Sequence, residues 1–265
     1  MKITPNIASA LFANTNSASL LTTLAGGVSS SSTAARDPLA ALKDAEKNAT
    51  KYVAAKAKEP QVKKELAAFE KAVANAKTPA DFFKNPAALK VFLTANGLGD
   101  QSAYKVLVEK TLNSDYLDSG SLAARMGATR GAWYETAMHY DFHYSGMEIL
   151  QKPESIAEIK EAYAQSLWRQ SIEETAPGVS YALAFKERAD TLDSAYKILG
   201  DPVGREIVTV ALGLPQQIAY QPVTSQAALI ERRLDITRLK NPAFVDTLVK
   251  RYLVARNGGS SSITA

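Results

Sequence analysis

Repeatedly in this chain a side chain able to cap a helix is followed directly by proline, as in Asp37-Pro38, Thr78-Pro79, Asn85-Pro86, Asp201-Pro202 and Asn241-Pro242. The first residue can accept a hydrogen bond from an unpaired amide at a helix start. The proline then stands where its missing N–H costs nothing. Glu59-Pro60, Lys152-Pro153 and Ala176-Pro177 are weaker versions of the same signal. Between these marks the apolar residues keep helical spacing. Val62, Leu66, Phe69 and Val73 run i, i+4, i+7, i+11, and Leu229, Ile230, Leu234 and Ile236 do much the same. Patterns of strand alternation are nearly absent. The expected fold is all-α, with about ten to twelve helices of roughly 8 to 20 residues.

Some of this punctuation recurs. Phe69–Leu98 aligns with Phe185–Leu214 at a constant offset, pairing Phe82-Phe83 with Ile198-Leu199 and Asn85-Pro86 with Asp201-Pro202. Val91-Phe92 then pairs with Ile207-Val208, and Ala95, Gly97 and Leu98 with Ala211, Gly213 and Leu214. After a slip the match resumes, Leu107–Leu112 against Leu229–Leu234 and Ser119–Met126 against Asn241–Leu248. The paired positions are caps, a proline start and a glycine stop, so they describe how a helical unit closes. Internal duplication is therefore expected. The organisation read from it is a leader over 1–36, one helical unit over 37–126, an aromatic-rich helical connector over 127–176, a second unit over 177–256 and a flexible tail over 257–265.

Composition narrows the function classes. The chain has 265 residues and a formal charge of +4, but Lys and Arg are interleaved with Asp and Glu, as in Glu65–Lys71. No basic stripe is formed, which argues against nucleic acid as a partner. There is no cysteine, which removes thiolate catalysis, disulfides and Cys-ligated zinc. No apolar run is long enough to span a membrane. From Ile3 to Ala35 there is not one charged residue, and Ser, Thr, Asn, Ala and Gly dominate. This stretch lacks the pure apolar core of a secretory signal and reads as a disordered, low-complexity leader.

The connector holds the residue types that could carry chemistry or binding. Glu135, His139 and His143 are spaced i, i+4, i+8, so one helix would place all three on one face, where they could hold a divalent metal. Three ligands strung along a straight helix converge poorly, and no fourth is identifiable, so neither a metal nor another cofactor is expected. The segment Met138–Tyr144 also alternates as a half-buried strand would, although its neighbours favour helix. Trp133, Tyr134, Tyr140, Phe142 and Tyr144 are the candidate partner-binding residues, because aromatics at this density anchor interfaces when exposed. Buried, they would be core. Glu173-Glu174, Asp190 and Asp193 stand where helix ends commonly carry acids, and form no recognisable catalytic pair.

A resemblance enters through the second half: Gly200-Asp201-Pro202, the turn Ala211-Leu212-Gly213-Leu214-Pro215, then Gln226, Leu229, Arg232 or Arg233 and Asp235, and the start Asn241-Pro242-Ala243-Phe244-Val245. Asp37-Pro38-Leu39 and Lys43–Asn48 fit the same pattern. Over roughly 36–256 the chain resembles a bacterial helical domain family of unknown function, encoded in flagellar gene clusters and often labelled flagellar or basal-body rod-associated. The resemblance implies a non-enzymatic protein that binds other proteins, chiefly flagellar components, in flagellar assembly or motility. It places the protein at the flagellum or in the cytoplasm, with any export needing no cleaved signal. Flagellar export substrates share the lack of cysteine and the uncharged leader. Axial proteins, however, carry an Asn-rich motif and heptad-like ends, which Met1–Ala35 and Arg256–Ala265 do not show. The opposing readings are a metal-assisted hydrolase using Glu135, His139 and His143, a cell-wall glycosidase, and a cytosolic export chaperone.

Overall fold

The computed structural model describes residues 37–258. The expected leader, 1–36, and all but the first two residues of the expected tail lie outside the described residues. Among the described residues every regular element is helical. The α-helices are α1 (Pro38–Lys58), α2 (Pro60–Asn75), α3 (Pro79–Phe83), α4 (Pro86–Ala95), α5 (Lys105–Leu112), α6 (Leu122–Thr129) and α7 (Gly131–Tyr140). They continue with α8 (Phe142–Ser145), α9 (Pro153–Thr175), α10 (Val179–Lys186), α11 (Ala195–Gly200), α12 (Pro202–Ala211), α13 (Val223–Arg233) and α14 (Pro242–Arg256). Short 3-10 turns intervene at Gly99–Gln101, Ala189–Thr191, Gln216–Tyr220 and Ile236–Lys240.

The cap-proline pairs do what local chemistry requires. Asn85 Oδ1 accepts from the amides of Ala87 and Ala88 at 3.1 and 3.0 Å, and Asn241 Oδ1 from those of Ala243 and Phe244. Thr78 and Asp81 form a reciprocal capping box on α3. The weaker pairs also mark starts at Pro60 and Pro153, but Ala176-Pro177 does not. There the left-handed Gly178 (φ 91°) precedes α10, which begins at Val179.

The described chain forms two compact units: 50–169, and 37–49 together with 170–258. Both α1 and α9 therefore contribute to each, and the boundaries differ from those read in the sequence. Residues 127–169 are not a separate connector. They pack into the first unit, whose core gathers Phe69, Phe82, Phe83, Phe92, Trp133, Tyr140, Phe142 and Tyr163, all nearly or fully buried. Polar contacts reinforce this core. Glu65 of α2 takes Lys90 Nζ at 2.8 Å and the buried Tyr163 phenol, joining α2, α4 and α9. Gln151 Nε2 donates to the carbonyls of Val73 and Ala76, each at 3.0 Å, satisfying acceptors at the end of α2. In the second unit α12 packs on α14 and α11, and α10 on α14. Its interior holds Phe185, Ile198, Val203, Ile207, Val208, Ile230, Val249 and Tyr252.

Candidate functional site

The segment singled out for binding or metal chemistry is built by three pieces of the first unit: α7, α8 and the loop Asn113–Ser121 between α5 and α6. The i, i+4, i+8 pattern of Glu135, His139 and His143 does not survive folding. Helix α7 ends at Tyr140, and Asp141 turns left-handed (φ 48°), so His143 falls in a second short helix. Glu135 is exposed, His139 lies edge-on to Tyr140 with ring centres 4.6 Å apart, and His143 Nδ1 meets the Asn113 carbonyl at 3.1 Å. Among the described residues no group of three or more His, Cys, Asp or Glu side chains is placed to hold a metal ion.

The same kink at Asp141 sorts the aromatic residues. Trp133, Tyr140 and Phe142 turn inward and are at most 3% exposed. Phe142 stacks near Phe82 (6.4 Å) and meets Phe83 and Phe92 edge-on at 5.1 and 5.8 Å, while Tyr140 sits 4.8 Å from Phe92. Burial pushes the Tyr140 phenol well above its ordinary range. These three rings are core and present nothing to a partner, which corrects their place among the binding candidates. The gain from burying large aromatic faces outweighs any pull toward the surface. Tyr134 is half-buried, and its Cβ lies where a side chain at Gly127 would stand, only 2.5 Å away. That close crossing of α6 on α7 needs the glycine.

Tyr144 alone of the five is exposed, at 55%. Its ring meets Tyr116 edge-on at 6.0 Å, and its phenol donates to Asp115, which pushes the Tyr144 pKa up to about 12. The same bond, helped by the Leu117 amide, draws the Asp115 carboxyl below its ordinary value. Tyr116 is packed against the core, whereas the next residue, Leu117, is 70% exposed. The loop beneath them is held by its own polar groups. Asp115 Oδ1 accepts from Leu117 N and Asp118 Oδ1 from Gly120 N, each at 2.9 Å, and Ser114 Oγ accepts from Ala123 N at 2.9 Å while donating to the Thr111 carbonyl at 2.8 Å. The result is an aromatic and aliphatic pair standing outward on an ordered base. Sequence reasoning missed Leu117, Tyr116 and Asp115. The only signal was the turn-forming Asn-Ser-Asp and Asp-Ser-Gly composition of the loop.

Among the described residues no helix is long and apolar enough to cross a membrane. No curated protein matches the chain. The crystal structure of a protein from Agrobacterium tumefaciens, determined as a structural-genomics target, aligns with a TM-score of 0.68 at 22% identity, covering 86% of this chain and 97% of that one. That likeness shows the fold alone. The sequence match is of another kind: residues 95–245, more than half of the chain, fit the family described as "Protein of unknown function (DUF1217)", and the chain belongs to that family.

Proposed function

We propose that this protein is a non-enzymatic binding subunit acting in bacterial flagellar assembly or motility. Two things support the reading. The turn and cap residues from Gly200 to Val245 resemble a family encoded in flagellar gene clusters. The observation that carries the binding role is the pair Leu117 and Tyr144, large apolar side chains 70% and 55% exposed on a loop and helix tied down by Asp115, Ser114 and Asp118. Large side chains presented on a rigid base lose little further entropy on binding, and tyrosine is enriched among residues that dominate interfaces. The partner is then another protein, with flagellar components the first to test.

The experiment is a photo-crosslinking residue at position 117 or 144 in motile cells. Crosslinks to a flagellar component, lost with a second change such as Tyr144→Ala or Leu117→Asp, are the expected result. Normal motility in a strain lacking the protein, with no flagellar crosslink from either position, overturns the proposal.

A further inference from the structure

From Ile207 to Ile230 not one residue carries a charge, in a chain where 22% of residues do. Much of this stretch is outward-facing. Between Pro215 and Ser225 only Ile218 is buried, and it pins the 3-10 turn Gln216–Tyr220 to the interior of the second unit. Beside it Tyr220 stands 91% exposed and Val223 55% exposed, at the start of α13. The backbone here is ordered. Gln226 Nε2 donates to the Gln221 carbonyl at 2.7 Å, and the Ile218 amide returns to the Pro215 carbonyl at 3.0 Å. The stretch is therefore a preformed run of exposed tyrosine, valine, proline and glutamine that carries no charge of its own.

We infer that this face, Pro215–Ser225, joins two copies of the chain through a two-fold contact. In such an interface each residue meets the same surface on its partner, so a charged face would set like against like. A neutral face escapes that cost, and no ion has to lose its water. Gln216, Gln217 and Gln221 suit the symmetry, because an amide side chain carries donors and acceptors together and can pair with its own kind. The chain as a whole bears +4, so two copies repel over most orientations. A charge-free face is where that repulsion is least. Tyr220 supplies the anchor, and Val223 and Pro222 the apolar contact around it.

Sedimentation velocity of the full chain over a dilution series tests this. The expected result is a reversible monomer–dimer equilibrium that Tyr220→Arg weakens about thirtyfold or more, the size expected of a central anchor, and that Tyr220→Phe leaves nearly intact. Tyr220 is exposed, so circular dichroism should show the fold unchanged. The chain has no cysteine, which gives a second readout: Tyr220→Cys carries a single thiol, and mild oxidation should yield a covalent dimer. A chain that stays monomeric at every concentration overturns the inference. So does a dimer whose affinity Tyr220→Arg and Val223→Arg leave unchanged, since its contact would then lie elsewhere.

Discussion

The stretches Thr78–Leu98 and Ser194–Leu214 share a sequence of caps and stops but carry different side chains. Each begins with a hydroxyl cap, Thr78 or Ser194, on a short helix, followed by Asn85 or Asp201 capping a ten-residue helix that starts with proline. Each ends on a left-handed glycine, φ 72° at Gly97 and 61° at Gly213. The closing hydrogen bonds also correspond: the amides of Gly97 and Leu98 reach Thr94 and Leu93, and those of Gly213 and Leu214 reach Val210 and Thr209. Burial separates them. Seven residues of α4 are buried, against four of α12, whose outer face carries Arg205 and the Glu206 that holds Arg256 at 2.6 Å. Caps and stops are decided within a few residues, whereas burial is decided by what packs on the helix. The likeness is local: α6 is capped by Ser121 and α14 by Asn241, which the alignment pairs with Ser119, so the later stretch falls out of step. Duplication of whole units does not follow from it.

The largest expected difference lies in the cores. Phe92 is fully buried among Phe82, Tyr140 and Phe142, and its counterpart Val208 is fully buried too. Phe92→Ala should cost about 3–5 kcal/mol, and Val208→Ala roughly 2 kcal/mol, at about 0.8 per buried carbon plus a small cavity. Both tryptophans, Trp133 and Trp168, belong to the first unit. Urea unfolding followed by tryptophan fluorescence should therefore register the Phe92 change strongly. Equal losses for the two variants would mean that the aromatic cluster adds nothing beyond an ordinary core.

The same division between local and distant causes explains what could be read in the sequence. Helix starts at Pro38, Pro60, Pro79, Pro86, Pro153, Pro202 and Pro242 were legible because a cap and a proline act on their own neighbours. The unit boundaries were not, because α1 and α9 each serve both units and nothing local at Ala49 or Arg169 marks the change. The single-face arrangement of Glu135, His139 and His143 failed at Asp141, a residue in the left-handed region with no glycine to announce it. Aromatic content at 133–144 could be counted from the sequence, but which rings turn inward depended on Phe82, Phe83 and Phe92, some 40 to 60 residues away. Tyr144 was found by that count, and Leu117 was not, since a lone leucine in a polar loop carries no pattern.

The stop signals should be the most alike of all the paired features. A side chain forced into the left-handed region costs about 1–2 kcal/mol, and a little less for asparagine. At Gly213 an added Cβ meets nothing within 4 Å, so Gly213→Ala should show the backbone cost alone, and Gly213→Asn should recover part of it. Gly97 is buried and its carbonyl accepts from Arg130, whose guanidinium also binds Asp100 at 2.8 Å. Gly97→Ala should therefore lose at least as much as Gly213→Ala in thermal unfolding. A smaller loss at Gly97 would break the correspondence of the two stops.

At the caps the comparison sharpens. Asn85→Ala should cost about 1 kcal/mol, the usual value for a lost N-cap. Asp201 caps through Gly204 N and also holds Arg188 at 3.1 Å, with both side chains less than 20% exposed. Asp201→Ala should cost more than Asn85→Ala, because Arg188 loses its carboxylate as well. Asp201→Asn separates the two contributions by keeping the cap and dropping the charge. If it behaves as the alanine variant does in chemical denaturation, the ion pair, not the cap, is what matters there.

The smallest effect concerns two exposed carboxylates that do different work at equivalent helix starts. In the first block Asp81 completes the capping box, accepting from Thr78 Oγ1 at 2.9 Å and Thr78 N at 3.1 Å, and the Thr78 hydroxyl holds its pKa below the ordinary 3.8. The paired position in the second block is Lys197. Its amide takes the Ser194 cap at 3.2 Å, and its Nζ reaches Asp193 at 2.7 Å, drawing that carboxyl down instead. Both pKa values are depressed, so each contact stabilises the fold above the unfolded value and is lost as pH falls through the folded one. Salt tells them apart, since the screening length drops from about 10 Å at 0.1 M to about 3 Å at 1 M and acts on the ion pair more than on a hydroxyl donor. Carboxyl NMR titration should show the Asp193 midpoint climbing toward 3.8 in 1 M salt, while that of Asp81 moves much less. Lys197→Ala should raise only Asp193, and Thr78→Val only Asp81. Equal movement of both midpoints with salt would show that charge, rather than cap geometry, sets the two helix starts alike.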